Sequence, residues 1–212
     1  MLFATLFFCN PSQALDFDFS GTFTNDNDIV LLDFTVGSDS TITIFSSSWG
    51  DGSAPDGYVP GGGFDPILAI WDSSNNLEAQ QDDGLNVGST LSNSVAYTHG
   101  KWDSFFDVFL TTGDYTASIT QYDNFANGAN LSSGFNHDGN PNFTFDLRFG
   151  TAPLFNGIWS YDDTRTGDWA FHISNVESAS GPGVPVPEPA TMLLLGSGLV
   201  GIAGFRRKKF KK

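Results

Sequence analysis

Four aspartates in the middle of the chain have the type and spacing to hold a hard cation. Asp65 precedes the apolar run Ile67–Trp71, Asp72 closes it, and Asp82 and Asp83 fall in the next turn region. A hairpin is expected to bring Asp72 and the Asp82-Asp83 pair to one end of a sheet. Calcium takes about six to eight oxygens, and these carboxylates, Asn75 and turn carbonyls offer a set of that kind. The spacing is not that of a helix–loop–helix calcium loop, which needs acids at alternate positions around a central glycine. The competing reading is local: aspartates favour turns because they hydrogen-bond nearby backbone. Calcium is the cofactor that the sequence suggests.

Other chemistry is less well supported. His99, His137 and His172 are far apart, and none has a partner at helical metal-ligand spacing, so zinc is not indicated. His172 sits in the apolar run Trp169–Val176 and reads as an outward-facing or satisfied core residue. Ser46-Ser47-Ser48 lacks the glycine-flanked elbow of a serine hydrolase. With 23 acids between Asp16 and Glu177, no carboxylate pair stands out for glycoside cleavage. Gly61-Gly62-Gly63 leads into a strand, not a helix, so it is a flexible turn rather than a phosphate cradle. The expectation is a protein without catalytic residues. Trp49, Tyr58, Trp102 and Trp159 lie in or near turn-rich segments where an exposed ring could stack on a sugar, which makes exopolysaccharide a candidate ligand.

Charge narrows the partners. The net charge is -15, yet six of the nine basic residues fall within 206–212. A body keeping only Lys101, Arg148 and Arg165 among so many acids would repel phosphate backbones, which excludes nucleic acid. The single cysteine, Cys9, lies in the apolar N-terminal stretch, so a mature domain would have neither disulfide nor thiol nucleophile.

The elements that would position these residues are strands. From Leu15 the period is two: Leu15, Phe17 and Phe19 alternate with Asp16, Asp18 and Ser20. Short apolar runs follow at 29–34, 41–45, 67–71, 105–110, 115–119, 143–149 and 169–176, most of them separated by Gly, Asn or Asp clusters. The 21 phenylalanines provide ample apolar area for a core. The pattern predicts an all-β, antiparallel, jelly-roll-like β-sandwich over residues 15–178, with one hydrophobic helix near the C-terminus.

Both ends read as addresses. Residues 1–9 form an apolar run too short to span a bilayer. Ser12 and Ala14 then have the small-residue spacing that signal peptidase reads, so residues 1–14 are expected to be a signal peptide. No basic residue precedes the run, so the expectation includes a start upstream of Met1. Residues 179–185 form a Pro/Gly linker. Val186, Pro187, Glu188 and Pro189 come next, then an uncharged, glycine-spaced apolar stretch over 190–205. Arg206, Arg207, Lys208 and Lys209 follow as a basic stop that would remain cytoplasmic.

This order over 186–212 resembles the PEP-CTERM sorting signal of Gram-negative bacteria. The resemblance implies recognition by an exosortase, cleavage near Pro187-Glu188-Pro189, and an inner-membrane-anchored precursor released to the cell surface or extracellular matrix. Within 15–178, the segments Phe19–Phe23, Asp28–Val30, Phe64–Asp72, Asp82–Gly84 and Gly167–Ala170 are similar to PEP-CTERM-tagged domains distantly like bacterial pre-peptidase C-terminal domains. That likeness implies a small β-sandwich and carries no activity to particular residues.

Overall fold

The computed structural model describes residues 14–50, 63–84, 87–144 and 166–182. Among these residues, eleven strands run in chain order: β1 (Leu15–Thr22), β2 (Val30–Val36), β3 (Ser40–Ser46), β4 (Pro66–Asp72), β5 (Leu77–Asp82), β6 (Gly88–Ser92), β7 (Val95–His99), β8 (Phe105–Leu110), β9 (Gly113–Gln121), β10 (Asp168–Val176) and β11 (Ser178–Ser180). They form a four-stranded sheet ordered β1-β10-β3-β8 and a five-stranded sheet ordered β11-β2-β9-β4-β5. β6 and β7 make a separate hairpin. All named strand pairs are antiparallel, as expected of an all-β sandwich.

The core lies between the two sheets. Phe17, Phe19, Ile42, Ile44, Phe171 and Ile173 come from the first sheet, and Leu32, Phe34, Leu68, Ile70, Ala117 and Ile119 from the second. Phe23 stacks on Phe64 with ring centroids 4.7 Å apart, and Phe34 on Tyr115 at 5.5 Å. Burying each such ring contributes about 1.5–3 kcal/mol from apolar area alone.

Two strands are covered on both faces, and their sequences show it. β4 reads Pro-Ile-Leu-Ala-Ile-Trp without alternation because the segment 122–144 lies on its outer face, packing Phe135, Leu131 and Ala126 against Ala69 and Trp71. In the first sheet, the β6–β7 hairpin lays Tyr97 over His172 of β10, with ring centroids 4.0 Å apart. By contrast β2 alternates buried and exposed positions, as a strand with one wet face should.

One strand expected from the sequence is corrected in part. Phe143 and Thr144 begin a helical turn, and residues 145–149 lie outside the described residues. Phe143 is buried because its ring stacks on the His137 imidazole at 3.8 Å, so its apolarity serves loop packing rather than a sheet. The two ends also lie outside the described residues, including the expected signal peptide and C-terminal helix. Among the described residues, no helix is long and apolar enough to cross a membrane.

Candidate functional site

Three of the four aspartates converge where β4 begins and β5 ends. The antiparallel register sets Asp82 opposite Ile67, one turn of the pleat from Asp65, and Asp83 follows at once. One carboxylate oxygen from each of Asp65, Asp82 and Asp83 lies within 4.8 Å of the others. Asp65 is buried, and the other two are half-buried. Asp83 has a φ of 55°, in the left-handed region that aspartate tolerates better than most residues. Gly84 then donates its N–H to the carbonyl of Asp103 at 2.6 Å. A Cβ at Gly84 would meet that same oxygen at 2.7 Å, so glycine is required there.

The cluster is short of donors. Oδ1 of Asp82 and Oδ1 of Asp83 are both buried without a hydrogen-bond partner. Burial, then the neighbouring Asp83 and Asp123 carboxylates, push Asp82 up to about 7. Burial also raises Asp83, opposed by the charge of Lys101. The phenol of Tyr122 is raised by burial and by four nearby aspartates: Asp82, Asp123, Asp65 and Asp83. Such a site relieves its repulsion by taking up a proton or a cation. Asp123 and Tyr122 were not singled out in the sequence; their only signal was their place at the end of an apolar run. Gln121, which pairs with Pro66, is buried with neither amide atom hydrogen-bonded.

Asp72 is not part of this cluster. It stands at the far end of β4, roughly 20 Å away at the rise of a strand. The turn of the β4–β5 hairpin lies immediately after Asp72, so antiparallel pairing carries Asp82 away from it and towards Asp65. Its carboxylate closes that turn instead, accepting from the N–H groups of Ser74 and Asn76, each at 2.8 Å, and from Asn76 Nδ2 at 3.0 Å. These bonds, led by the one from the Asn76 backbone, hold Asp72 below the usual carboxylate range. Here the turn-forming reading of aspartate wins.

Two of the four candidate sugar-stacking rings meet. Trp49 and Trp102 lie edge to face with centroids 6.1 Å apart, and Lys101 Nζ sits 4.0 Å from the Trp102 ring centroid. Both indoles are half-buried. Asp103 holds this corner together, accepting from Ser46 Oγ, Trp49 N, Gly50 N and Gly100 N at 2.8–2.9 Å. Tyr58 and Trp159 lie outside the described residues.

Among the described residues the histidines are not gathered into a metal-ligating group. His137 Nε2 pairs with Asp123 Oδ1 at 2.7 Å, and His99 Nε2 with Thr90 Oγ1 at 2.9 Å. His172 is a buried residue with both ring nitrogens engaged, one by Asp18 and one by Ser47.

The sorting residues Val186–Pro189 and Arg206–Lys209 are outside the described residues, and they are read from sequence alone. The family model of the PEP-CTERM protein-sorting motif matches residues 185–208. The chain carries a PEP-CTERM sorting motif. That motif implies an exported protein processed by exosortase at the membrane. The match is confined to the tail and does not reach the β-sandwich. No curated protein matches the chain.

Proposed function

We propose that this PEP-CTERM protein is cut near Pro187-Glu188-Pro189 and then serves at the cell surface or in the extracellular matrix, in a structural or binding role without catalysis. The observation that carries this reading is the motif match over residues 185–208. The acidic body supports it, since net negative charge outside the basic tail keeps an exported domain soluble. Signal peptidase is the expected partner at the front and exosortase at the back. Mass spectrometry of the protein from cells with and without the sorting enzyme tests the reading. A product lacking residues beyond the motif, seen only with the enzyme, is expected; an intact Arg206–Lys212 end in both would refute processing.

The convergence of Asp65, Asp82 and Asp83 favours a second element, calcium binding by the mature domain. Calorimetric titration of the full chain is expected to show calcium heat that is lost in Asp83→Asn. The Trp49–Trp102 pair supports an exopolysaccharide contact beside that cluster. Retardation in a polysaccharide gel that disappears in Trp102→Ala is the expected outcome.

A further inference from the structure

The outer face of the first sheet holds a buried polar chain that neither sorting nor cation binding uses. Ser47 Oγ is 2.9 Å from His172 Nε2, and His172 Nδ1 is 2.7 Å from Asp18 Oδ1. An ionised Asp18 can only accept, so the imidazole proton resides on Nδ1 and Nε2 accepts from the serine hydroxyl. The order Ser-His-Asp is that of an acyl-transfer relay. In this fold it is not one. Ser47 is 5% exposed and His172 0%, and the Ser47 N–H is already given to the Ala170 carbonyl, leaving it unable to cradle an oxyanion.

What lies over His172 is the β6–β7 hairpin. Among the described residues the hairpin pairs only with itself, in a two-stranded sheet that is marginal without a surface to lie on. Its hold on the sheet is largely polar and aromatic. At the turn, Asn93 donates through Nδ2 to Asp18 Oδ2 at 2.8 Å and to the Asp16 carbonyl at 3.1 Å, and through its N–H to Asp16 Oδ2 at 3.2 Å. Further along, Tyr97 covers His172. Two histidines lie at this seam, His172 on β10 and His99 on β7. Both rest on the ring of Phe45, with centroids 4.5 and 5.6 Å away.

We propose that the β6–β7 hairpin is an acid-released cover, held while His172 is neutral and lifted from the sheet when that ring takes up a proton. A charged imidazole at His172 can be solvated only if the hairpin lifts. The charged groups around His172 are Asp18 and Asp16 on β1, His99 on β7 and Asp103 ahead of β8. Burial pulls His172 below the usual histidine range, His99 adds to this, and Asp18 and Asp103 oppose it without overturning it. Asp18, raised by burial but lowered more by its bonds to His172 and Asn93, stays ionised. The sign follows. With the hairpin lifted His172 binds a proton more readily than when covered, so opening is favoured as pH falls below about 6.5, tenfold for each unit of difference. The latch is independent of calcium and of the sorting tail. Its release would uncover Phe45, Phe105 and Tyr97 as a second apolar surface in acid surroundings.

Hydrogen exchange of the full chain, corrected for the intrinsic pH dependence of the rates, tests this. Protection of residues 88–99 is expected to fall at least tenfold between pH 7.5 and pH 5, while β4 and β9 hold theirs. The variant His172→Phe should keep the hairpin closed at both pH values. A fall shared equally by β4 and β9, no fall at all, or a fall that persists in His172→Phe would overturn the proposal. Should that variant fail to fold, the imidazole of His172 in the unaltered chain can be titrated by NMR. Its midpoint must coincide with that of hairpin opening, and a separation of more than about one pH unit refutes the latch.

Discussion

Asp103 is a buried aspartate and Asp82 a half-buried one; their neighbouring segments meet at Gly84, and their surroundings are opposite. Asp103 is enclosed by donors: three backbone N–H groups and the Ser46 hydroxyl satisfy its carboxylate. Asp82 is enclosed by acceptors, with an unpartnered Oδ1 and other carboxylates on its flanks. Burial pushes both up, more than Asp103's four donors can offset. The difference separates two uses of the same side chain. A carboxylate fully occupied by the protein is a structural node, whereas one short of donors has capacity left for a cation or a proton.

The contrast can be broken first by removing the node. Asp103→Ala orphans several buried donors and is expected to cost about 3 kcal/mol or more, measured by urea unfolding. A smaller cost than that of Asp82→Ala would erase the distinction. The next effect belongs to calcium. At 100 times its dissociation constant, calcium should stabilise the unaltered protein by about 2.7 kcal/mol and Asp83→Asn by much less, read as a shift in melting temperature.

Without calcium, Asp82→Asn is expected to stabilise the protein at pH 7.5, by up to about 1 kcal/mol after solvent screening. The folded Asp82 titrates near 7 against 3.8 for an unperturbed aspartate. The folded state therefore holds this proton more tightly, and its contribution to stability is present below about pH 4 and lost as pH rises through 7. The advantage of the amide should accordingly shrink between pH 7 and pH 4, and an advantage that is constant with pH would point to packing instead. The smallest effect is at Asp72. Asp72→Ala removes three turn hydrogen bonds and should lower the melting temperature slightly without changing the calcium heat.

The strands legible in the sequence were those with large apolar residues facing the core: β1, β2, β3, β4, β8, β9 and β10. The missed ones are polar. β5 is an edge strand reading Leu-Glu-Ala-Gln-Gln-Asp, β11 is Ser-Ala-Ser, and β6 and β7 form a cover whose buried rings are Tyr97 and His99. A strand at an edge or on a cover buries too little to impose alternation. Asp65, Asp82 and Asp83 were legible as candidates from residue type, but the hairpin expected from the sequence joined Asp82 and Asp83 to Asp72 rather than to Asp65. Asp72 was misplaced because the turn was set one strand end too late. The His172 chain was not legible: Ser47 and Asp18 lie 125 and 154 residues away from it in sequence. The unbroken apolarity around His172 was the one trace of a second cover.

The last described strand also has a mechanical meaning. After β10 leaves the first sheet, the chain crosses at Glu177 and enters β11, three residues paired to the edge of the second sheet. A pull on the chain from beyond residue 182 would reach β11 before β10. Peeling those three residues from β2 releases about 10 Å of slack before the nine-residue β10 carries load. The short strand would thus act as a fuse, yielding before the sandwich behind it does.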